Sequence, residues 1–425
     1  MRKAFAQHGF TRLYAGLSAS MFGDSLMLIV LSMWVKSLTD SNAKAGLTFF
    51  WMVVPALFAP LYGMFVDRVK RRPLLIWGNL VSALIVLPLL LVHDAGDVWL
   101  IYVVAFCYGI SFVVIPAGLN GLLKELMPEH LLVDANASLS TTKEGFRLIG
   151  PLAGAGLFAA FGGGSVAIID AVSFVVAAVM ILTIKLREDE PARTEQHWWG
   201  EMTAGVRHLG ADPILRHTLV AIGLVILVVG FTESSIYAII DFFDKPVEFV
   251  GVIVTVQGVG AIAGGLTASR WVRRIGEPGT IATSLVIMAA GMALIAGSQW
   301  LWLMLAATVL FGYSLPLLII AFNTLIQVRT PGPLMGRVSA AVEVVMGTPQ
   351  ALSIAVGALL VTLLDYHWIF AIMTVATVAA VGYLLASLRG RLLRPSQAQP
   401  PAVRDAALQA ERSDAERAPT ARPTG

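Results

Sequence analysis

Four carboxylic acid residues lie inside long apolar stretches of the sequence, namely Asp24, Asp170, Glu233 and Glu343. A charge in such a stretch is costly, so an ionisable residue there is a functional candidate by default. Burial favours the protonated form of a carboxyl group and can bring its titration close to physiological pH. The chemistry predicted for Asp24, with Glu233 as a second candidate, is therefore reversible proton binding. The alternative is a permanent hydrogen-bonding strut between helices, and for Asp170 and Glu343 a strut or a water-exposed position is favoured.

The composition places these residues in a membrane. The chain has 425 residues, of which 57% are hydrophobic and only 13% are charged, and its mean hydropathy is +0.78. A soluble domain carries about 25% charged residues, so the deficit of charge indicates a membrane-embedded chain. The single cysteine, Cys107, excludes a disulfide framework and a metal site built from several cysteines.

Twelve apolar runs are long enough to cross a bilayer, which takes about 20 helical residues. They are apolar all round and do not alternate over about ten residues, so helices are predicted and not barrel strands. The first run is too long for a cleavable signal and has no obvious small-residue cleavage site, so it counts as a span. The predicted spans are 12–36, 45–66, 73–93, 98–123, 138–161, 163–184, 214–240, 250–270, 279–298, 300–325, 338–363 and 367–388.

The placement of basic residues predicts the orientation. If both termini are cytoplasmic, only Lys36, Lys44 and Lys245 of the 30 lysine and arginine residues fall in external loops. The positive-inside rule requires such an asymmetry, and a missed or spurious span would invert every later loop. A multi-pass protein of the cell membrane with both termini in the cytoplasm is therefore predicted.

The longest internal loop divides the spans into two sets of six. Residues 1–184 form the predicted N-terminal half, 185–213 a charged cytoplasmic central loop, and 214–390 the C-terminal half. The remaining segment, 391–425, has little apolar material and is predicted to be a disordered cytoplasmic tail.

The two halves are related in sequence. An offset of 202 residues carries Gly63, Arg68 and Arg72 onto Gly265, Arg270 and Arg274, and an offset of 203 carries Gly109, Asn120, Pro128 and Gly154 onto Gly312, Asn323, Pro331 and Gly357. Each half has an even number of spans, so the copies share one orientation and are related by an axis along the membrane normal. The predicted fold is an all-α membrane protein with twelve transmembrane helices in two six-helix pseudo-symmetric halves around a midplane cavity.

The loop between predicted spans two and three reads Gly63-x-x-x-Asp67-Arg68-x-x-Arg71-Arg72. It resembles the first conserved motif of the major facilitator superfamily of secondary transporters, although Lys70 stands where that family usually has a second glycine. Further segments are similar to bacterial drug, macrolide and siderophore exporters. They are Phe22 to Asp24, Asp134 to Ala137, Ile169 to Phe174 and Pro333 to Val338. The resemblance covers the chain from about residue 10 to about residue 390.

Two departures from the drug–proton antiporters concern the relay of protons. Their span-five motif is present only in part, as Gly150, Pro151 and Gly154 followed by Ala155. The arginine that they carry in span four has no counterpart, since residues 98–123 contain no arginine. A proton relay cannot therefore be copied from those antiporters onto this chain.

The resemblance implies a secondary active transporter that works by alternating access. No GxxxxGK[ST] loop occurs, which excludes ATP binding of the Walker type. Proton-coupled export of amphipathic drugs or toxic small molecules is the leading expectation, and the expected partners are such a substrate, protons and membrane lipid. The alternatives are export of a siderophore or another endogenous metabolite, then uptake, and a non-transporting receptor or scaffold on the same fold. No cofactor, metal or nucleic acid is expected, and the chain is expected to be a monomer.

A conformational latch is also implied by the resemblance, since Asp67 should meet the N-terminus of span eleven near Arg337 when the transporter faces outward. A carboxylate at a helix N-terminus gains about 0.3–1 kcal/mol when exposed and up to about 2 kcal/mol when partly buried. The alternative is that the basic residues serve only to orient the chain. The predicted latch residues are Gly63, Asp67, Arg68, Arg71, Arg72 and Arg337.

Substrate contacts are predicted on the walls of the cavity, from flexible and aromatic candidates on spans one, seven and ten and from three polar residues within spans. Flexible and aromatic side chains suit a bulky amphipathic ligand, and a few polar groups can orient it. The alternative for each is contact with lipid or a neighbouring helix. The candidates are Met21, Met27, Trp34, Asn120, Phe231, Tyr237, Gln257, Tyr313, Phe322 and Asn323. Lys143, Glu144 and Arg147 are a candidate cytoplasmic gate or a local salt-bridged cluster.

Enzyme activity is not expected. A membrane enzyme needs a cluster of nucleophilic, metal-binding or acid–base groups. The seven histidines lie in loops or at span edges, and none has ligand spacing with another on one helix.

Overall fold

The computed structural model of the protein describes residues 5, 7, 9–186, 188, 198–331 and 334–388. The predicted tail at 391–425 lies outside this part of the chain. Within the described residues the chain is helical and contains no strand. The helices are α1 Phe10–Thr39, α2 Asn42–Val53, α3 Ala59–Asp67, α4 Arg71–Val86, α5 Val98–Leu126, α6 Glu129–Phe161, α7 Gly163–Leu182, α8 Trp198–Ala211, α9 Pro213–Val229, α10 Phe231–Phe242, α11 Phe249–Ala296, α12 Leu301–Arg329, α13 Met335–Leu363 and α14 Tyr366–Ser387.

Nine helical segments of the described chain are long and apolar enough to cross a membrane. One of them, α11, runs through Gly276, whose φ of 73° interrupts the helix and separates residues 249–275 from 277–296. Predicted span two is divided between α2 and α3, and α6 is less apolar than the others. Counting α11 as two spans and adding these two elements makes the architecture consistent with the predicted twelve crossings.

Prolines explain where the predicted spans depart from straight helices. Pro55 lies in a 3₁₀ segment, Val54–Phe58, that joins α2 to α3, because proline removes a backbone donor and clashes with the preceding turn. Pro116 in α5 and Pro316 in α12 each lie inside a helix. They are 200 residues apart, three fewer than the offset that relates Gly109 to Gly312, so they are not matched positions of the duplication.

The predicted start of span five differs from the start of the corresponding helix, α6. Helix α6 begins at Glu129, nine residues before the predicted start at 138, because polar residues continue the helix beyond the apolar run. A hydropathy count detects only the apolar part of a helix, so it places such a boundary too late.

The central segment contains its own helix. Within the predicted loop 185–213, α8 packs on the first turn of α13, and a methyl group at Gly205 would lie 2.3 Å from the carbonyl oxygen of Arg337. At the other side of the segment, Asp212 caps α9 by accepting hydrogen bonds from the backbone N–H groups of Ile214 and Leu215 at 2.8 and 3.2 Å. Asp212 also forms an ion pair of 2.6 Å with Arg329 at the end of α12. The part of the segment from α8 to Asp212 is therefore anchored to the second half.

Candidate functional site

Asp24 meets two residues that lie far away in the sequence. The hydroxyl oxygen of Tyr108 on α5 lies 2.7 Å from Oδ1 of Asp24 on α1 and 2.9 Å from Oδ2 of Asp170 on α7. Tyr108 is 1% exposed and Asp170 is 0% exposed, whereas Asp24 is half-buried. Three helices of the first half therefore bring two carboxyl groups to one hydroxyl group.

Small residues on α1 permit this approach. A methyl group at Gly23 would lie 2.4 Å from Oδ1 of Asp170 and 2.3 Å from Oγ of Ser173. One at Gly16, two turns earlier on the same face, would lie 2.9 Å from Cβ of Met180. Close backbone packing through small residues is how helices associate tightly in membranes. Gly23 thus allows Asp24 and Asp170 to sit beside each other across the α1–α7 contact.

Basic residues of α6 act on both predicted proton-binding carboxyl groups. Lys143 interacts electrostatically with Asp24, and Arg147, one turn further on, interacts electrostatically with Glu233 of the second half. Arg147 is 71% exposed, and its contact with Glu144 is long, at 3.9 Å. Successive turns of α6 thus present one cation that acts on a carboxyl group of the first half and one that acts on a carboxyl group of the second.

Glu233 is placed by a break in the second half. Gly230 separates α9 from α10, and a methyl group there would lie 2.8 Å from both the backbone nitrogen of Ile354 and Cβ of Ser353. Glu233 follows in the first turn of α10 and is half-buried. The second predicted proton-binding carboxyl group therefore starts a short helix packed against α13.

The two halves meet in a polar contact where α1 ends and α2 begins, which we call the Lys36 end of the bundle. Lys36 is only 6% exposed, and its Nζ donates to Asp241 at 2.8 Å and to Asp40 at 3.0 Å. Asn42 donates a further hydrogen bond to Asp241 at 3.0 Å. One turn deeper, the hydroxyl groups of Ser32 and Tyr237 are hydrogen-bonded. The bundle is closed at this end by contacts between α1, α2 and α10.

A second seam between α6 and α11 continues this closure toward the middle of the bundle. A methyl group at Gly251 would lie 2.8 Å from the carbonyl oxygen of Pro151, and one at Gly258 would lie 2.5 Å from the side chain of Leu148. Thr255 donates a long hydrogen bond of 3.4 Å to the carbonyl of Leu148. Arg147 and Glu144, which precede Leu148 on α6, are exposed, so the contact between α6 and α11 ends at Leu148.

The opposite end, where α3 ends and α4 begins, is the Arg71 end. A methyl group at Gly63 of α3 or at Gly336 of α13 would meet no atom of the described residues within 4 Å. Glu343 of α13 is exposed, as are Lys143 and Glu144 of α6. The space that contains Asp24 and Glu233 therefore opens toward the Arg71 end and is shut at the Lys36 end.

The residues of the predicted latch have separate surroundings. Arg71 and Arg72 are the first residues of α4, and their backbone N–H groups donate hydrogen bonds of 2.5 and 2.8 Å to the carboxylate of Glu188. The N-terminus of a helix is a favourable place for such an anion. The Arg72 guanidinium donates to the carbonyls of Ile181 and Leu182 at the end of α7. Arg68 and Arg337 are exposed, and the Asp67 side chain lies outside the described atoms. The contact between Asp67 and span eleven stays a prediction.

The span-five motif sits in the tightest contact between α6 and α1. A methyl group at Gly150 would lie 2.4 Å from Oγ of Ser25, and one at Gly154 would lie 2.6 Å from the carbonyl oxygen of Leu26. Pro151 is buried beside them and faces α11. The motif thus holds α6 between α1 and α11, next to Asp24.

Gly154→Ala is therefore expected to lower the stability of the protein by about 1–3 kcal/mol, because the added methyl group overpacks the contact with α1. Gly156→Ala is the matched control, since a methyl group there would lie more than 4 Å from every atom that the structure describes. Thermal unfolding of the purified proteins in one detergent measures both. Equal midpoints for the two variants would show that the α1–α6 contact yields without cost.

The predicted substrate residues fall into three groups by exposure. Those in the buried core are Met27, Trp34, Phe231, Tyr237 and Phe322. Those that are half-buried are Met21, Gln257 and Tyr313, and those that are exposed are Asn120 and Asn323. Tyr313 has polar partners within its own half, because its hydroxyl oxygen accepts from Trp271 at 3.0 Å and lies 2.7 Å from Oγ1 of Thr267. A substrate role for each of these residues stays a prediction.

The residues that sequence reasoning missed are Tyr108 and the Lys36–Asp241 pair. Nothing in an apolar run distinguishes Tyr108 from a core tyrosine. The pair, in contrast, had a signal: Lys36 and Asp241 are 205 residues apart, and so are Ser32 and Tyr237. That separation is close to the repeat offset, so residues at matching places in the two halves face each other across the pseudo-symmetry axis. Opposite charges at such positions predict an ion pair.

Comparisons with known proteins agree with this geometry. Residues 13–246 and 222–420 match the family model of the Major Facilitator Superfamily. The chain is 27% identical over 373 residues to the uncharacterized MFS-type transporter YfiS of Bacillus subtilis (strain 168). The aligned region covers 83% of this chain and 87% of that protein. It is 25% identical over 341 residues to the multidrug efflux pump Tap of Mycolicibacterium fortuitum, which covers 77% of this chain and 82% of Tap.

The fold also resembles a bacterial homologue of the iron transporter ferroportin. The TM-score is 0.68 for the inward-facing state of that protein, at 16% identity, with 90% of this chain and 98% of the other covered. For its outward-facing state the TM-score is 0.60, with 89% and 99% covered. These relatives and fold neighbours are transporters and not enzymes, which confirms the expectation of a non-enzymatic transporter. The protein is a multi-pass membrane protein of two related halves, and it belongs to the Major Facilitator Superfamily.

Proposed function

We propose that the protein is a secondary exporter of amphipathic small molecules, driven by a proton gradient through Asp24. The observation that carries the proposal is the position of Asp24, half-buried on α1 and in electrostatic contact with Lys143 in the space between the halves. An ionisable residue in a membrane span marks a substrate or ion pathway. Export is supported by the relative Tap, which is named a multidrug efflux pump.

The proposed cycle uses the closure at the Lys36 end. If the basic loops face the cytoplasm, the Arg71 end is cytoplasmic and the structure faces inward. The higher TM-score against the inward-facing state of the ferroportin homologue supports the same assignment. Alternating access then requires the Lys36 contacts to open and the Arg71 end to close as one half rocks against the other.

Coupling is proposed to arise because Asp24 changes charge inside the cavity. Ionised Asp24 and Lys143 attract each other, and protonation of Asp24 removes that attraction. A proton taken up from outside and released inside can thus alternate with substrate in the same space. Glu233, which faces Arg147 from the other half, is proposed as the second carboxyl group of this exchange.

Substrate accumulation in a host that lacks its own exporters tests this function. Cells that express the wild-type chain are expected to accumulate less of at least one amphipathic drug than cells that express Asp24→Asn. The pseudo-symmetric cavity can also serve an endogenous metabolite such as a siderophore. Equal accumulation of chemically diverse drugs in both strains would contradict drug export and favour that alternative. Binding without any movement of ligand in proteoliposomes would instead indicate a receptor or scaffold.

A further inference from the structure

Two buried carboxyl groups on different helices share one tyrosine hydroxyl group beside the proposed coupling residue. We propose that Asp170 is a second, internal proton-binding site and that Tyr108 relays a proton between it and Asp24. The proposal rests on the proposed proton coupling and adds the residues that store and pass the proton. Asp170 and Tyr108 act as positioning and relay groups behind Asp24, which alone of the three is half-exposed.

The count of hydrogens requires a proton in this cluster. The hydroxyl oxygen of Tyr108 lies 2.7 Å from Asp24 and 2.9 Å from Asp170, and both distances are those of hydrogen bonds. A tyrosine hydroxyl group has a single hydrogen, while an ionised carboxylate can only accept. If both carboxyl groups were ionised, one of the two contacts would have no hydrogen in it. One carboxyl group must therefore be protonated and donate to the tyrosine oxygen.

The surroundings assign that proton to Asp170. Its side chain is 0% exposed, and its Oδ1 has no hydrogen-bond partner among the described residues. Ser173 donates the one hydrogen of its hydroxyl group to the backbone carbonyl of Asp170 at 2.7 Å, so that hydrogen is already used. An ionised carboxylate buried with one unpaired oxygen is very costly. The groups that act on the pair are the neutral hydroxyl groups of Tyr108 from α5, Ser173 from α7 and Ser20 from α1, and the charged Lys143 from α6, which acts on Asp24.

The resulting chain of donors is a relay. Asp170 donates its carboxyl hydrogen to the tyrosine oxygen, and Tyr108 donates its own hydrogen to Asp24. When the stored proton leaves, the O–H bond of Asp170 breaks as the Tyr108 oxygen gains that hydrogen, and the original O–H bond of Tyr108 breaks as a new one forms on Asp24. One proton thus moves from the buried Asp170 to the half-exposed Asp24, which releases it to the cavity, and Asp170 is left ionised. The next proton taken up by Asp24 returns to Asp170 by the reverse transfer, Tyr108 ends unchanged, and no electrons are transferred.

The second half of the chain has a ring without the hydroxyl group at the place that matches Tyr108. The repeat offset that carries Gly109 onto Gly312 carries Tyr108 onto Phe311, which is also buried. The same place in the fold thus holds a ring without the hydroxyl group where there is no carboxyl pair to bridge. Tyr108→Phe is therefore expected to fold, and it removes only the relay oxygen.

Infrared spectroscopy of the purified protein near neutral pH tests the internal proton directly. The wild type is expected to show the carbonyl stretch of a protonated carboxyl group that disappears in Asp170→Asn and persists in Asp24→Asn. This measurement needs no substrate and does not depend on transport. An Asp170→Asn spectrum that keeps every protonated-carboxyl band of the wild type would overturn the assignment of the proton to Asp170.

Proton-driven transport in proteoliposomes tests the relay. Tyr108→Phe is expected to slow it by about tenfold or more, because a hydrogen bond to a charged group is lost, while substrate exchange without a gradient is kept. Tyr102→Phe is the matched control. Tyr102 lies on α5, as Tyr108 does, and the substitution removes a hydrogen bond of 2.9 Å that its hydroxyl group donates to the carbonyl of Lys44. Full proton-driven rates in Tyr108→Phe would overturn the relay. If the wild type itself shows no proton-driven transport, the proposed coupling fails, and the infrared result still decides the site at Asp170.

Discussion

Asp24→Asn is expected to abolish transport driven by a pH gradient and to leave substrate exchange in the absence of a gradient. The amide cannot take up or release a proton, so the charge in the cavity no longer changes. Its oxygen still accepts the hydrogen bond from Tyr108, so the loss of stability should stay near 1 kcal/mol. The measurement is uptake of a substrate found in the accumulation screen, in proteoliposomes with and without an imposed pH difference.

The chain offers a matched control for this substitution. Asp244→Asn makes the same chemical change at an exposed residue in the loop after α10, and its φ of 49° is a conformation that asparagine tolerates well. Gradient-driven rates should therefore be normal in Asp244→Asn and at the level of protein-free liposomes in Asp24→Asn. Normal rates in both variants would show that the coupling proton binds elsewhere, with Glu233 as the first residue to examine.

The sequence was most informative where a residue is costly in an apolar environment. Asp24 could be predicted because a carboxyl group in the middle of a span needs a reason to be there. The helix count and the duplication followed from run lengths and from seven matched positions, and the observed architecture is consistent with both. What could not be predicted was the neighbourhood of Asp24, since contacts with residues 84 and 146 positions away depend on how α1 packs against α5 and α7.

The division of span two shows the opposite case, in which a local signal was present. Pro55 and Pro60 both lie within predicted span 45–66. Hydropathy averages over such residues, whereas the backbone cannot, because Pro55 removes a donor and ends α2, while Pro60 is tolerated in the first turn of a new helix, α3. The boundary of α6 failed for a related reason, since the polar first turns of a helix carry no hydropathy signal. Both errors concern the ends and breaks of helices and leave the predicted position of the site unchanged.

The contact at the Lys36 end gives the second large expected effect. Lys36 is 6% exposed, and within the part of the chain that the structure describes its ion-pair partner in the other half is Asp241. Asp40 also pairs with Lys36, but it belongs to the same half and is 97% exposed. When the halves separate at this end, water can solvate Lys36 in place of Asp241. The ion pair therefore stabilises the closed conformation relative to the one open at the Lys36 end.

Asp241→Asn is expected to shift the population toward the conformation open at the Lys36 end. Breaking a buried ion pair costs about 3–5 kcal/mol, but Asp241 is 44% exposed, so screening by water reduces this to about 1–2 kcal/mol. The ratio of open to closed molecules should rise by a factor of about 5–30. Nitroxide labels at Lys44→Cys and Lys245→Cys, with Cys107 replaced by alanine, report the opening as a longer distance across the two halves. Asp244→Asn changes the same charge three residues away without touching Lys36, so its distance distribution should match that of the wild type. Identical distributions for Asp241→Asn and Asp244→Asn would mean that the seam between α6 and α11 alone holds this end closed.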